Sequence, residues 1–148
     1  MEILVIGPEP PCVRCINTAR FAKEVAEQFP VKVTVRKIDT HAVEAQKYGK
    51  IEGGGTIAEI ERINYDSEGF KKLMQEAGRL TSEGEKNESL VKGKLQEIQE
   101  TLTPITEKAK EAGYLMTPVV VVNGKVKSSG YVPSREEIRG WVESELGN

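Results

Sequence analysis

The sequence predicts an α/β fold, and three stretches carry that expectation. Residues 2–38 hold a short apolar run, a helix-periodic segment and an alternating strand. A strand, a helix and a second strand in so short a span form a βαβ unit, whose crossover makes the two strands parallel. Residues 119–129 hold two strand-like runs on either side of Asn123-Gly124, the strongest short signal for a type I′ hairpin and so for an antiparallel pair. Residues 134–146 open with the capping box Ser134-Arg135-Glu136-Glu137 and continue at helical spacing.

Glu2 to Ile6 reads as a buried strand because its apolar residues do not alternate and Gly7-Pro8 ends them. Pro10-Pro11 stiffens the loop before a helix predicted over 13–28, where Cys15, Ala19, Ala22, Ala26 and Phe29 recur at spacings of four and three. Pro30 closes it, and Val31 to Ile38 alternates apolar and charged residues as a strand does. Asp39-Thr40 then caps a short helix over 41–48. Gly53-Gly54-Gly55 reads as a flexible joint; the Lys-Ser/Thr of a Walker-type phosphate loop does not follow it. Ile57, Ile60 and Ile63 recur every three residues and predict a helical turn. Ser67 is the expected cap of a helix with Phe70, Leu73, Met74, Ala77 and Leu80 on one face.

Val91, Leu95, Ile98, Leu102, Ile105, Ala109 and Ala112 extend the helical pattern through Thr103-Pro104, which reads as a cap followed by proline at the first helical position. Two helices or one kinked helix fit. The stripe is short for a coiled-coil seam, so packing within the chain is expected. Val119 to Val122 lacks alternation and reads as fully buried. Lys125 to Ser129 reads as its charged edge partner. The last helix is expected to bury Ile138, Trp141, Val142 and Leu146.

A chain of 148 residues has room for a hydrophobic core within one domain spanning residues 1–148. The formal charge of −2 suggests neither nucleic acid nor an anionic membrane as partner. No apolar run is long enough to span a bilayer. The N-terminal apolar stretch is short and lacks a basic leader, so a cytoplasmic location is expected. There a cysteine pair is more often catalytic, redox-active or metal-binding than a structural staple.

The pair is Cys12 and Cys15, in Glu9-Pro10-Pro11-Cys12-Val13-Arg14-Cys15 at the first strand-to-helix junction. In a helix's first turn two cysteines so spaced lie on one face, close enough to bridge. The free N–H groups and the positive end of the helix dipole stabilise a thiolate there. The helical phase leaves Cys12 at the rim as the attacking thiolate and turns Cys15 inward as the resolving thiol. Arg14 either adds a positive field or points to solvent.

The order strand, Cys-x-x-Cys helix, strand, helices, Thr117-Pro118, valine strand, Asn123-Gly124, strand and capped helix resembles the thioredoxin fold. In detail it is similar to the small thioredoxin- and glutaredoxin-like redox proteins of archaea and bacteria. The residues that carry the likeness are Cys12, Cys15, Thr117-Pro118, Val119 to Val122, Asn123-Gly124 and Val132-Pro133-Ser134, within roughly residues 1–48 and 104–146. The resemblance implies a four-stranded mixed sheet, two strands parallel and two antiparallel, flanked by helices, with a helical insertion at about 50–102. It implies that Pro118 is cis and lies against the cysteines. Thr117 would then offer free backbone groups to an extended substrate, as an added strand would, with Pro11, Val13, Arg14 and Pro118 as further substrate contacts.

The activity implied is thiol–disulfide exchange and electron transfer between the Cys12–Cys15 pair, a protein disulfide or dithiol substrate and an unidentified reductase. No cofactor beyond the Cys12–Cys15 disulfide, and no metal, is implied. Val13-Arg14 is neither the Gly-Pro of thioredoxin nor the Pro-Tyr of glutaredoxin, so a potential does not transfer across a range of roughly −270 to −120 mV. The competing expectation is a non-catalytic binding module whose inserted helices recognise a partner, with the cysteines regulatory or metal-holding. A structural zinc site takes four protein ligands, and the chain has two cysteines and one histidine. That histidine, His41, is expected on the surface, with Asp39 as a helix cap.

Overall fold

The structure is a computed structural model and describes residues 1–147. Its centre is β1 (Glu2–Gly7), where Ile3, Leu4, Val5 and Ile6 are at most 1% exposed, as an unalternating run must be when both faces are covered. β1 pairs in parallel with β2 (Thr34–Asp39) and antiparallel with β5 (Val119–Val122). β5 pairs antiparallel with β6 (Lys125–Ser129), giving a mixed sheet in the order β2-β1-β5-β6. Asn123 and Gly124 have φ of 52° and 81°, the positive values that a type I′ turn demands and that Asn and Gly accept.

Successive residues of β1 feed opposite layers, as the pleat dictates. Ile3 joins Phe21, Ala22 and Val25 of α1 (Val13–Ala26) and Ile138 and Val142 of α7 (Arg135–Leu146). Leu4 and Ile6 join Val119, Val121, Ala45 of α2 (Val43–Gln46) and Ile51. Four more helices, α3 (Gly54–Glu61), α4 (Ser67–Ser82), α5 (Glu88–Thr101) and α6 (Thr103–Ala112), build a third cluster around Ile57, Ala77, Ile98, Leu102 and Ile105. Val13 of α1 belongs to that cluster, so these helices share a core with the start of the cysteine helix. Leu102, at φ −87° and ψ −1°, ends α5 and leads into α6, so the long apolar stripe is two helices. No helix among the described residues is long and apolar enough to cross a membrane.

Several elements differ from the sequence expectation. Lys50–Glu52 forms β3, which pairs in parallel with β4 (Tyr114–Met116) as a separate two-stranded sheet. Three residues are too few for periodicity to register, although Ile51 alternates with Lys50 and Glu52 between Gly49 and Gly53. The triple glycine is no joint: Gly53 is the N-cap of α3, and Gly54 and Gly55 are its first residues. Asp66, not Ser67, caps α4, its carboxylate accepting from the Gly69 N–H at 2.9 Å. The strand expected from Val31 starts at Thr34, leaving Val31 exposed, and the helix expected over 41–48 contracts to α2.

At the end of α7 it is Glu145 rather than Leu146 that turns inward. Leu146 is exposed, while the Glu145 carboxylate receives Lys127 Nζ at 3.0 Å, Lys125 Nζ at 3.2 Å and Asn123 Nδ2 at 3.4 Å. This pins α7 to the hairpin. The Lys127 hydrogen bond, followed by that of Lys125, holds the Glu145 carboxyl down to about 2. A carboxyl held lower in the folded than in the unfolded state stabilises fully above its unfolded value, and loses that contribution as pH falls through its folded value. Glu145→Gln is therefore expected to lower the melting temperature at pH 7 and to converge on the wild type as pH is taken from about 4.5 towards 2. Calorimetry across that range checks it; a pH-independent difference excludes the ion-pair account.

Candidate active site

Cys12 is itself the N-cap residue of α1, at φ −79° and ψ 167°, and Cys15 lies in the first turn. Both are free thiols with their sulfurs 3.5 Å apart; a disulfide bond is about 2.05 Å long, so this is a dithiol near bridging distance. Cys12 is half-buried, whereas Cys15 is fully buried. A sulfur so deep needs room at the end of β1, and Gly7 supplies it. A Cβ on Gly7 would stand 2.3 Å from Cys15 Sγ and 3.3 Å from its Cβ. The glycine is required here for close approach, beyond its role in ending a strand.

The two thiols are electrostatically unequal. The Cys15 thiol, as hydrogen-bond donor to the neighbouring sulfur, does most to draw Cys12 down to about 6. Burial works against it, and the amides of Cys15 and Arg14 and the Arg14 charge add to it. Cys15 moves strongly the other way, first because its proton is held by the Cys12 sulfur and then because it is buried. A single negative charge therefore resides on the outer sulfur.

Arg14 does not point to solvent; it is 5% exposed. Its guanidinium donates to the Thr117 carbonyl at 3.4 Å, to Gln99 Oε1 at 3.1 Å, and to the Gly130 carbonyl. All three acceptors are neutral. Burial lowers its affinity for the proton, and the neighbouring cysteine sulfurs, Cys12 first, oppose that. The Arg14 charge in turn adds, after the hydrogen bonds from Cys15 and the turn amides, to what favours the Cys12 thiolate. Two more buried polar residues brace this turn: Asn17 Nδ2 donates to the Val13 carbonyl at 2.9 Å and to Thr81 Oγ1 at 3.2 Å, and Thr18 Oγ1 donates to the Arg14 carbonyl at 2.7 Å.

The residues expected to contact substrate separate into different environments. Pro11 is exposed beside Cys12, while Val13 is buried in the core with Ile57 and Met116. Val13 therefore contributes packing and not a contact surface. The Thr117–Pro118 peptide is cis, as is Glu9–Pro10. Thr117 does not present free backbone groups: its N–H donates to the Glu52 carbonyl at 3.1 Å and its carbonyl accepts from Arg14. The physical reason is β3, whose pairing with β4 runs on into Thr117. His41 is exposed, with Nε2 2.8 Å from Glu52 Oε1, a hydrogen bond that raises its proton affinity. Among the described residues no three His, Cys, Asp or Glu gather as a metal site.

Gln99, Asn17, Thr18 and the exclusion role of Gly7 were not singled out from the sequence. Asn17 and Thr18 sit at helix positions where polar residues ordinarily meet water, and Gln99 lies 85 positions from its partner. Only the Gly-Pro at the strand end carried a signal.

At pH 7 a thiol with a value of about 6 is roughly nine-tenths ionised, against a few per cent for a free thiol of about 8.5. Iodoacetamide alkylation of Cys12 is expected to rise from pH 5 to 7 with a midpoint near 6 and to level off above it. Both Arg14→Gln and Gly7→Ala are expected to move that midpoint up towards 8.5, the first by removing the counter-charge and the second by displacing the Cys15 donor. Midpoints unchanged in both variants would exclude this account of the acidity.

A family model described as a thioredoxin domain matches residues 80–143. The match runs from the end of α4 through most of α7 and takes in Gln99, Thr117, Pro118 and Gly130, while Cys12 and Cys15 lie outside it. No curated protein and no solved structure matches the chain. That match and an α/β architecture built on a mixed four-stranded sheet support a small protein similar to thioredoxins.

Proposed function

We propose that the protein is a thiol–disulfide oxidoreductase working through Cys12 and Cys15. The observation that carries this reading is the pair of free sulfurs 3.5 Å apart at the start of α1, one half-buried and the other fully buried. The Cys12 thiolate attacks one sulfur of an external disulfide. A Cys12–substrate S–S bond forms, the external S–S bond breaks, and the departing thiolate takes a proton. Cys15 then loses its proton and attacks Cys12 Sγ, forming the Cys12–Cys15 disulfide and releasing the second thiolate, which is protonated in turn. Two electrons have passed from the protein to the substrate, and an external dithiol reductant restores the pair by the reverse sequence.

In this reading the chain is one domain, and residues 50–102 are a helical insertion that closes over the cysteine turn. Val13 packs among the helices of that segment, and Gln99 receives Arg14. The insertion then helps to hold the Arg14 charge in place. Arg14 is a positioning residue as well as a charge, because its planar guanidinium fixes three carbonyl groups at once.

Cys15→Ser, treated when reduced with a chromogenic aryl disulfide, is expected to stop at one stable mixed disulfide on Cys12, because nothing resolves it. Cys12→Ser is expected to react at least about tenfold more slowly at pH 7, since its remaining thiol is buried and protonated. Mass spectrometry and release of the coloured thiol measure both. Equal rates for the two variants would remove the assigned order of attack.

A further inference from the structure

The Thr117–Pro118 backbone, joined to the cysteine turn through Arg14, is the one an added strand would use, and it is already paired. The Thr117 N–H donates to the Glu52 carbonyl at 3.1 Å, extending the β3–β4 ladder one residue past its Glu52–Met116 register. The Thr117 carbonyl lies under the Arg14 guanidinium at 3.4 Å. The Pro118 carbonyl accepts from the Gly130 N–H at 3.2 Å, and proline has no N–H to offer. Every backbone polar group of this dipeptide is therefore engaged or absent. Immediately before Cys12 the exposed loop is Glu9-Pro10-Pro11, in which two consecutive residues lack a donor. Neither segment presents the alternating free N–H and carbonyl groups through which an extended chain pairs as a strand.

β3 is also firmly seated. Ile51 is 1% exposed and packs with Leu4, Ile6, Val119 and Val121 of the main sheet. The Glu52 side chain holds His41, and Gly53 begins α3. Moving β3 aside would bring Ile51 into water and leave the Thr117 amide without its partner. Even then Arg14 would still cover the Thr117 carbonyl.

We infer that the disulfide attacked by Cys12 is a low-molecular-weight one, bound through its sulfurs and not through strand pairing, and that β3 is the specificity element excluding disulfides carried on extended polypeptide. This rests on the exchange reading above. In the test, fully reduced protein is reacted at pH 7 with bis(2-hydroxyethyl) disulfide and, separately, with insulin, and each rate is divided by that of dithiothreitol on the same substrate. The expected acceleration is greater for the small disulfide. An equal or greater acceleration for insulin overturns the inference while leaving exchange chemistry intact, and acceleration of neither overturns the exchange reading and this inference with it. As a second readout, amide hydrogen exchange at Thr117 is followed in Cys15→Ser, free and carrying a mixed disulfide with 2-mercaptoethanol or with an insulin chain. The Thr117 amide is expected to stay protected throughout; loss of protection in the insulin adduct alone shows β3 giving way to a substrate strand and overturns the inference.

Discussion

The structure depends on a buried cation. Arg14 lies inside the molecule with no carboxylate paired to it among the described residues, and taking a guanidinium out of water costs several kcal/mol. Three hydrogen bonds from a charged donor, to Thr117, Gln99 and Gly130, are of the size needed to offset that cost, at about 1.5–3 kcal/mol each. The Cys12 sulfur in the same turn further favours the charged form. One side chain thus ties the cysteine helix to α5, to the residue before Pro118 and to the turn after β6. Packing and chemistry are one problem here, because the group that stabilises the thiolate also joins the elements.

That link explains why the helices of residues 54–112 are built into the site. Val13 enters their core directly behind Cys12, and Asn17 reaches Thr81 at the end of α4. Thr18 is buried with its hydroxyl bonded to the Arg14 carbonyl, and Asn17 Nδ2 is bonded to the Val13 carbonyl and the Thr81 hydroxyl, while Asn17 Oδ1 has no partner among the described residues. Around Arg135 the outer side of the same helix is tied again: the guanidinium pairs with Glu24 of α1 and Glu88 of α5 and lies 4.3 Å from the centre of the Phe21 ring. The cysteine turn is therefore held from its core side by Arg14 and along its length by Arg135.

The small β3–β4 sheet has the opposite character, being short and easily overlooked. Ile51 anchors it to the main core, and its ladder runs into Thr117. The edge at Thr117 is thereby closed by the chain itself, in the way sheet edges are commonly covered. Gly7 works at the same scale, since its missing Cβ is the space that Cys15 occupies.

Much of this protein was legible in its residues. The buried β1, the cysteines at a helix start, the Asn123-Gly124 hairpin and the capping box at Ser134 are local features, each decided within a few positions by periodicity, backbone freedom or side-chain capping. The Val91–Ala112 stripe also told its own story, break included, although Leu102 and not Thr103 is the residue that caps α6. What the sequence by itself determined was therefore the four strands of the main sheet, most of the helices and the position of the two sulfurs at a helix start. Only the tertiary structure decided that Arg14 turns inward, that Val13 is core, that Glu145 displaces Leu146 from the interior, and that Thr117 is spoken for by Glu52. Each of those outcomes depends on a partner far away along the chain, and desolvation favours a buried polar group only when the whole fold brings that partner within hydrogen-bonding distance.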